Sequence, residues 1–178
     1  MANSIYQLGR QAFLEGKIAW LTDNIKLVLV SSAYGVNLST DQFLSIIPGG
    51  AIIATSGNFT SVTSTNGIAN AAGVTCSAVP GGSTVSYVVI YKDTGVSTTS
   101  PLILYMDTAT NLPVTTNGGD IAIQWDTGTN KIFTLFEGLA EQDAGLVQWL
   151  RDWLRGLFFP SAVQTPSGLW VPAPKIIL

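Results

Sequence analysis

Thr84-Val85-Ser86-Tyr87-Val88-Val89-Ile90-Tyr91 is the stretch on which the fold turns. Val85, Tyr87, Val89 and Tyr91 alternate with Ser86, Val88 and Ile90, a period of two that sends successive side chains to opposite faces of a strand. Its β-branched and aromatic residues suit a pleated surface, whereas a helix would restrict their χ1 freedom. Asp93-Thr94-Gly95 closes the run with turn chemistry.

Shorter segments of the same kind lie on both sides. Upstream, Ala51 to Ser56 precedes Gly57-Asn58, Phe59 to Thr63 precedes Thr65-Asn66-Gly67, and Val74 to Val79 precedes Pro80-Gly81-Gly82. Downstream come Pro101 to Met106, Ile121 to Trp125 after Asn117-Gly118-Gly119, and Lys131 to Phe136 after Thr127-Gly128-Thr129-Asn130. In the second of these, Ile121, Ile123 and Trp125 share one face and Ala122 and Gln124 the other. Turn signals recur at intervals of roughly 8 to 15 residues, and no long helical pattern lies between them to serve as a crossover. The interior therefore reads as a mainly β sandwich or barrel, not as a βαβ fold.

Nearer the start, Lys17 to Leu21 and Ile25 to Ser32 flank Thr22-Asp23-Asn24 and read as a hairpin. Ile25, Leu27 and Leu29 point one way and Lys26, Val28 and Val30 the other, so this second strand is expected to be covered on both faces. Ser39-Thr40-Asp41-Gln42 opens a short helical turn through Phe43, Leu44 and Ile47, which Pro48-Gly49-Gly50 should end. From Ser4 to Glu15, Ile5, Leu8, Ala12 and Phe13 have helical spacing, with Gly16 placed as a stop.

Composition changes after residue 136. Leu146, Val147, Trp149, Leu150, Trp153, Leu154 and Leu157 recur at spacings of three and four, opposite Gln148, Arg151, Asp152 and Arg155. That pattern predicts an amphipathic helix with Asp143 as its N-cap and Gly156 at its exit. Phe158-Phe159-Pro160, Pro166, Trp170-Val171-Pro172-Ala173-Pro174 and Ile176-Ile177-Leu178 then form a proline-spaced apolar tail, expected to be extended. Two parts follow: a β domain over 1–136 with an N-terminal arm, and a helix plus arm over 137–178.

Chemistry is sparse. The 178 residues include no histidine, which removes the commonest general base and metal ligand. One cysteine, Cys76, sits in an alternating stretch and reads as a buried side chain; no zinc constellation and no intrachain disulfide can be built. The glycine pairs at 49–50, 81–82 and 118–119 lie in turns, and none opens a phosphate-binding helix. Asp107, Asp120 and Asp126 are the one set of carboxylates that a sandwich end would gather for hydrolysis, but each sits where Asp normally bonds local backbone amides. No catalytic, cofactor or metal site is expected.

The formal net charge is −3, and charged residues make up only 11% of the chain against about 25% in an average soluble domain. The lysines and arginines are scattered, so nucleic-acid binding, which needs clustered cations, is disfavoured. The N-terminus lacks the basic and apolar regions of a signal peptide, and no apolar run approaches the roughly 20 residues that span a bilayer. Residence in a cytoplasm is the expectation. An uncharged polar surface suits a subunit that lives against other subunits, because such groups cost less to desolvate than ions.

The helix and tail have three possible roles: packing on their own domain, docking on another subunit, or lying at a membrane interface. Each large apolar side chain fully buried contributes about 1.5–3 kcal/mol, so these residues need a cover. With Arg151 and Arg155 as the only cations on the polar face, lipid attraction is weak, and docking on a partner is the preferred expectation.

Several segments together resemble a known family. They are Ala2-Asn3-Ser4-Ile5-Tyr6, Gly9-Arg10-Gln11-Ala12-Phe13-Leu14-Glu15-Gly16, Ile25-Lys26-Leu27-Val28-Leu29-Val30 and Val89-Ile90-Tyr91-Lys92-Asp93-Thr94-Gly95. The densest match is Leu104-Tyr105-Met106-Asp107-Thr108-Ala109-Thr110-Asn111-Leu112-Pro113-Val114-Thr115, followed by Asn117-Gly118-Gly119-Asp120-Ile121 and Gln124-Trp125-Asp126. In these segments the chain resembles the capsid cement (decoration) proteins of tailed bacteriophages and prophages. The resemblance implies a jelly-roll-like antiparallel β-sandwich on the outside of an icosahedral head. Such a protein is assembled in the host cytoplasm, bridges major capsid protein subunits as a homo-oligomer, and carries no catalytic residues. Partner contacts are then expected from Tyr6 and Phe13 in the arm and from Trp149, Leu150, Trp153, Leu154, Leu157, Phe158, Phe159 and Trp170. Two departures stand out: few charges, and a continuation over 137–178 where relatives stop soon after the last strand. The alternative is a carbohydrate- or receptor-binding module of a head fibre or tail, with Trp20, Trp125 and Tyr87 as sugar platforms.

Overall fold

A computed structural model describes residues 3–128 and 131–135, together with the strand backbone at 162–164 and 170–172. The chain divides into two units, Met1–Leu135 and Phe136–Leu178. The first is mainly β, every described strand pairing is antiparallel, and among the described residues it holds a single α-helix. Its centre is a five-stranded sheet in the order β1 (Ser4–Ile5), β9 (Leu102–Met106), β8 (Tyr87–Lys92), β2 (Ile25–Val30), β3 (Ile52–Thr55).

The central sheet is buried on both faces, as the apolar run in β2 predicts. Ile25, Leu27 and Leu29 enter one hydrophobic cluster with Trp20, Phe59, Val88, Ile90 and Phe133. Val28 and Val30 enter another with Tyr6, Tyr34, Ile47, Val89 and Tyr91. A register shift between β8 and β9 adds a residue, so Ile103 and Leu104 both serve the first cluster while Leu102 and Tyr105 serve the second.

Small sheets supply the first cover and give the unit a sandwich-like character. They are β4 (Thr63–Thr65) and β12 (Phe133–Thr134) on either side of β5 (Ile68–Asn70), β6 (Val74–Cys76) with β11 (Ile121–Ile123), and β7 (Thr84–Val85) with β10 (Val114–Thr115). The second cover is the segment after β2, with Tyr34, Ile47 and Ala51 buried and two 3-10 turns, Leu44–Ile46 and Gly49–Ala51. Pro48-Gly49-Gly50 thus leads into a second tight turn where a plain stop was expected.

Three local readings change. The Thr84–Tyr91 run is two strands: Ser86 donates its N–H to the Val30 carbonyl at 2.8 Å, and the chain crosses there from β7, paired with β10, to β8 in the central sheet. Lys17–Leu21 is not a strand, although Ile18 and Trp20 are buried and their neighbours exposed. Side chains have taken its backbone partners: Asp23 accepts the Ala19 N–H at 2.7 Å, and Lys92 Nζ donates to the Lys17 carbonyl at 2.8 Å. The strand placed at Phe59–Thr63 begins at Thr63 instead, and its hairpin closes on Asn66 and Gly67, both with positive φ (52° and 78°), the geometry of a type I′ turn.

Helix α1 (Gln7–Leu14) follows β1 after the single residue Tyr6, so the helical spacing read from Ser4 is realised only from Gln7, Ser4 and Ile5 being paired with β9 instead. Gly16, at φ 68°, ends it: the Gly16 N–H bonds to the Phe13 carbonyl at 3.1 Å and the Lys17 N–H to that of Ala12 at 2.8 Å. The helix lies against β9 so closely that a Cβ on Gly9 would stand 2.5 Å from the Leu102 carbonyl oxygen. No described helix is long and apolar enough to cross a membrane.

In the second unit, β13 (Ala162–Gln164) pairs antiparallel with β14 (Trp170–Pro172). This part of the expected tail is extended, but it is folded back on itself as a strand pair. The helix predicted from Asp143 to Leu157 lies outside the described residues.

Candidate functional site

Tyr6 stands between β1 and α1 and is fully enclosed by its own domain. Its hydroxyl meets that of Tyr34 at 3.0 Å, Tyr34 donates to Asp41 Oδ2 at 2.6 Å, and Asp41 Oδ2 also accepts the Asn37 N–H at 2.8 Å. Burial, before any other cause, pushes both tyrosine hydroxyls well above the usual phenol range. The Tyr6 N–H bonds to the Ile103 carbonyl and the Gln7 N–H to that of Leu38. Tyr6 was expected at a partner surface; it is a core residue that fastens the N-terminal segment, because its polar end finds partners inside the fold.

Phe13 is half-buried and packs tilted against Phe133, ring centres 6.0 Å apart, so it offers only part of its ring outward. Next to it Leu14 is 86% exposed, and Leu21 in the following turn is 59% exposed. Ile46, on the 3-10 turn Leu44–Ile46, and Val96, the extended residue that leads into the adjoining 3-10 turn Ser97–Thr99, are 52% and 55% exposed. None of these four was singled out from sequence, where an apolar residue carries no mark of which side it faces. Trp149, Leu150, Trp153, Leu154, Leu157, Phe158 and Phe159 lie outside the described residues. Trp170 opens β14 opposite Gln164.

The three proposed sugar platforms separate. Trp20 is buried, edge-on to Phe59 and Phe133, with its Nε1–H on the Thr63 carbonyl at 3.0 Å. Tyr87 is half-buried against Tyr105. Trp125, also half-buried, lines a cleft. Its Nε1–H donates to the Ala72 carbonyl at 2.9 Å, and its ring centre is 5.3 Å from that of Phe59.

That cleft consists of two adjoining cavities of about 340 and 380 Å³, which share Val88, Ala109, Thr110, Ile123 and Gln124 as lining. One wall is the chain from Met106 to Leu112, the other β11 and its continuation to Asp126, with Val88 of β8 between them. Asp120 lines the first cavity, and Asp126 and Lys131 the second. All three have backbone partners: Asp120 accepts the Ala78 N–H at 2.8 Å, Asp126 the Gly128 N–H at 3.0 Å, and Lys131 donates to the Thr127 carbonyl at 2.7 Å. Asp107 accepts from the Thr108 hydroxyl at 3.0 Å. Among the described residues no group of His, Cys, Asp or Glu gathers in the manner of a metal centre.

Cys76 is buried on β6, and burial pushes its thiol up to about 11, so it stays protonated at neutral pH. No family model matches the chain, and no curated protein matches it.

Proposed function

We propose that this chain is a structural virion protein, a jelly-roll-like cement subunit that binds the outside of a phage capsid and stabilises it by bridging major capsid subunits. It acts as a homo-oligomer and makes no covalent bond. The observation that carries this reading is the surface of the β domain: Leu14, Leu21, Ile46 and Val96 stand in solvent on a domain whose chain is only 11% charged. Apolar side chains set among uncharged polar groups are cheap to desolvate and gain about 1.5–3 kcal/mol each when fully covered. A subunit that binds only the assembled shell shifts the equilibrium towards that shell by mass action.

The arrangement of the family-like segments supports the same reading. Asn3 Oδ1 accepts the N–H groups of Asp107 and Thr108 at 3.1 and 3.0 Å, and Asn3 Nδ2 donates to the Thr108 carbonyl at 2.9 Å. Two segments that resemble cement proteins therefore meet in one clamp, far apart though they are in the chain.

The test is electron microscopy of purified particles that carry this chain, compared with particles that lack it. Extra density on the outer face of the shell, bridging neighbouring subunits, is the expected result, together with a lower temperature of genome release when the chain is missing. Its absence from purified particles would refute the reading, as would heads equally stable without it.

A further inference from the structure

We propose that the cleft between Met106–Leu112 and β11 is a binding site for a neutral saccharide, about a disaccharide in length. Such a site would stand whether or not the chain binds a shell. Size comes first: cavities of about 340 and 380 Å³ joined by shared walls fall in the range of small-ligand sites. Each lobe has room for a ring, and the shared lining lets one ligand run through both.

The lining then selects the chemistry. A hydrocarbon would strand the Thr110 hydroxyl and the Gln124 amide, neither of which has a side-chain hydrogen-bond partner among the described residues. An anion meets Asp120 and Asp126 against Lys131, the one cation among the described lining residues, which is already held by the Thr127 carbonyl. Phosphates and nucleotides are thereby disfavoured. A pyranose matches both halves of the surface. Its C–H face can lie against Met106, Ile123 and Trp125, and its hydroxyls can exchange hydrogen bonds with Thr110 and Gln124. Trp125 is held in place before any ligand arrives, by its bond to Ala72 and its contact with Phe59, so little side-chain entropy remains to be lost. The competing occupant is an extended peptide added to the edge of β11. That strand has only three residues and offers few main-chain bonds, so the saccharide is favoured.

The test uses the purified full chain, with saturation-transfer NMR and calorimetry. The probes are glucose, galactose, mannose, N-acetylglucosamine and their common disaccharides at about 1–10 mM, a range matched to weak sites. Saturable binding of at least one disaccharide is expected. Gln124→Ala and Thr110→Val should each weaken it about tenfold or more while the melting temperature holds, and Gln42→Ala, outside the cleft, should change nothing. Absence of saturable binding across the panel would overturn the proposal, as would affinity untouched by both cleft substitutions. So would capture of extended heptapeptides at β11 in place of any sugar.

Discussion

Replacing Gly9 by alanine sets two physical terms against each other, and the structure says which wins. In an isolated helix the change stabilises by about 1 kcal/mol, because glycine has more backbone freedom to lose. Here the new methyl group would stand 2.5 Å from the Leu102 carbonyl oxygen and 3.3 Å from that of Ile103. The first distance is roughly 1 Å short of an ordinary contact. A main-chain oxygen cannot rotate away as a side chain would, so α1 must lift from β9 or the strand must bend. Overpacking of this kind costs about 2–3 kcal/mol, which leaves a net loss of about 1–2 kcal/mol. In a domain of this size that lowers Tm by about 3–6 °C. Calorimetry and urea unfolding of Gly9→Ala should show it. Gly35→Ala is the control, because no heavy atom lies within 4 Å of the added carbon and φ is not positive; that variant should be neutral or slightly more stable. A Gly9→Ala protein as stable as the parent would refute the close seating of helix on strand.

Tyr34→Phe removes the donor to Asp41 Oδ2 and the partner of the Tyr6 hydroxyl, and should cost about 1–3 kcal/mol in urea unfolding. Stability should also fall at high pH. Burial raises the folded-state values of Cys76 (to about 11, from 9.0), Tyr91 (to about 12, from 10.0), Tyr6 and Tyr34, so the neutral forms stabilise the fold fully below the unfolded values. That contribution declines from about pH 9 upward and is lost as pH passes the folded values, which thermal melts at pH 8, 10 and 11 would follow. Native protein should accordingly leave Cys76 unreactive towards a thiol reagent at pH 8 and expose it in urea. Removal of 137–178 is expected to weaken attachment to heads in a sedimentation assay; unchanged affinity would assign the contacts to the β domain alone.

Much of the β architecture was legible because it rests on local rules. The two apolar faces of Ile25–Val30 follow from a period of two, and Gly16 and Asn66-Gly67 mark positions where few other residues accept a positive φ. The misreadings have one physical origin. Lys17–Leu21 has the side-chain alternation of a strand, but a strand also needs a neighbour, and Asp23 and Lys92 satisfied its backbone groups instead. Nothing in Thr84–Tyr91 announces that Ser86 is where the chain changes sheets.

Periodicity and turn chemistry thus sufficed to determine that residues 1–136 form a mainly β domain with a distinct apolar segment after it, since those signals act between neighbours in the chain. Only the tertiary structure decided that Tyr6 lies inside, that Leu14 and Ile46 lie outside, and that Thr110 and Gln124 line one cleft. Burial and juxtaposition depend on which distant backbone comes to rest alongside, and β9 against α1, or Met106–Leu112 opposite β11, is a relation between segments that neither of them carries alone.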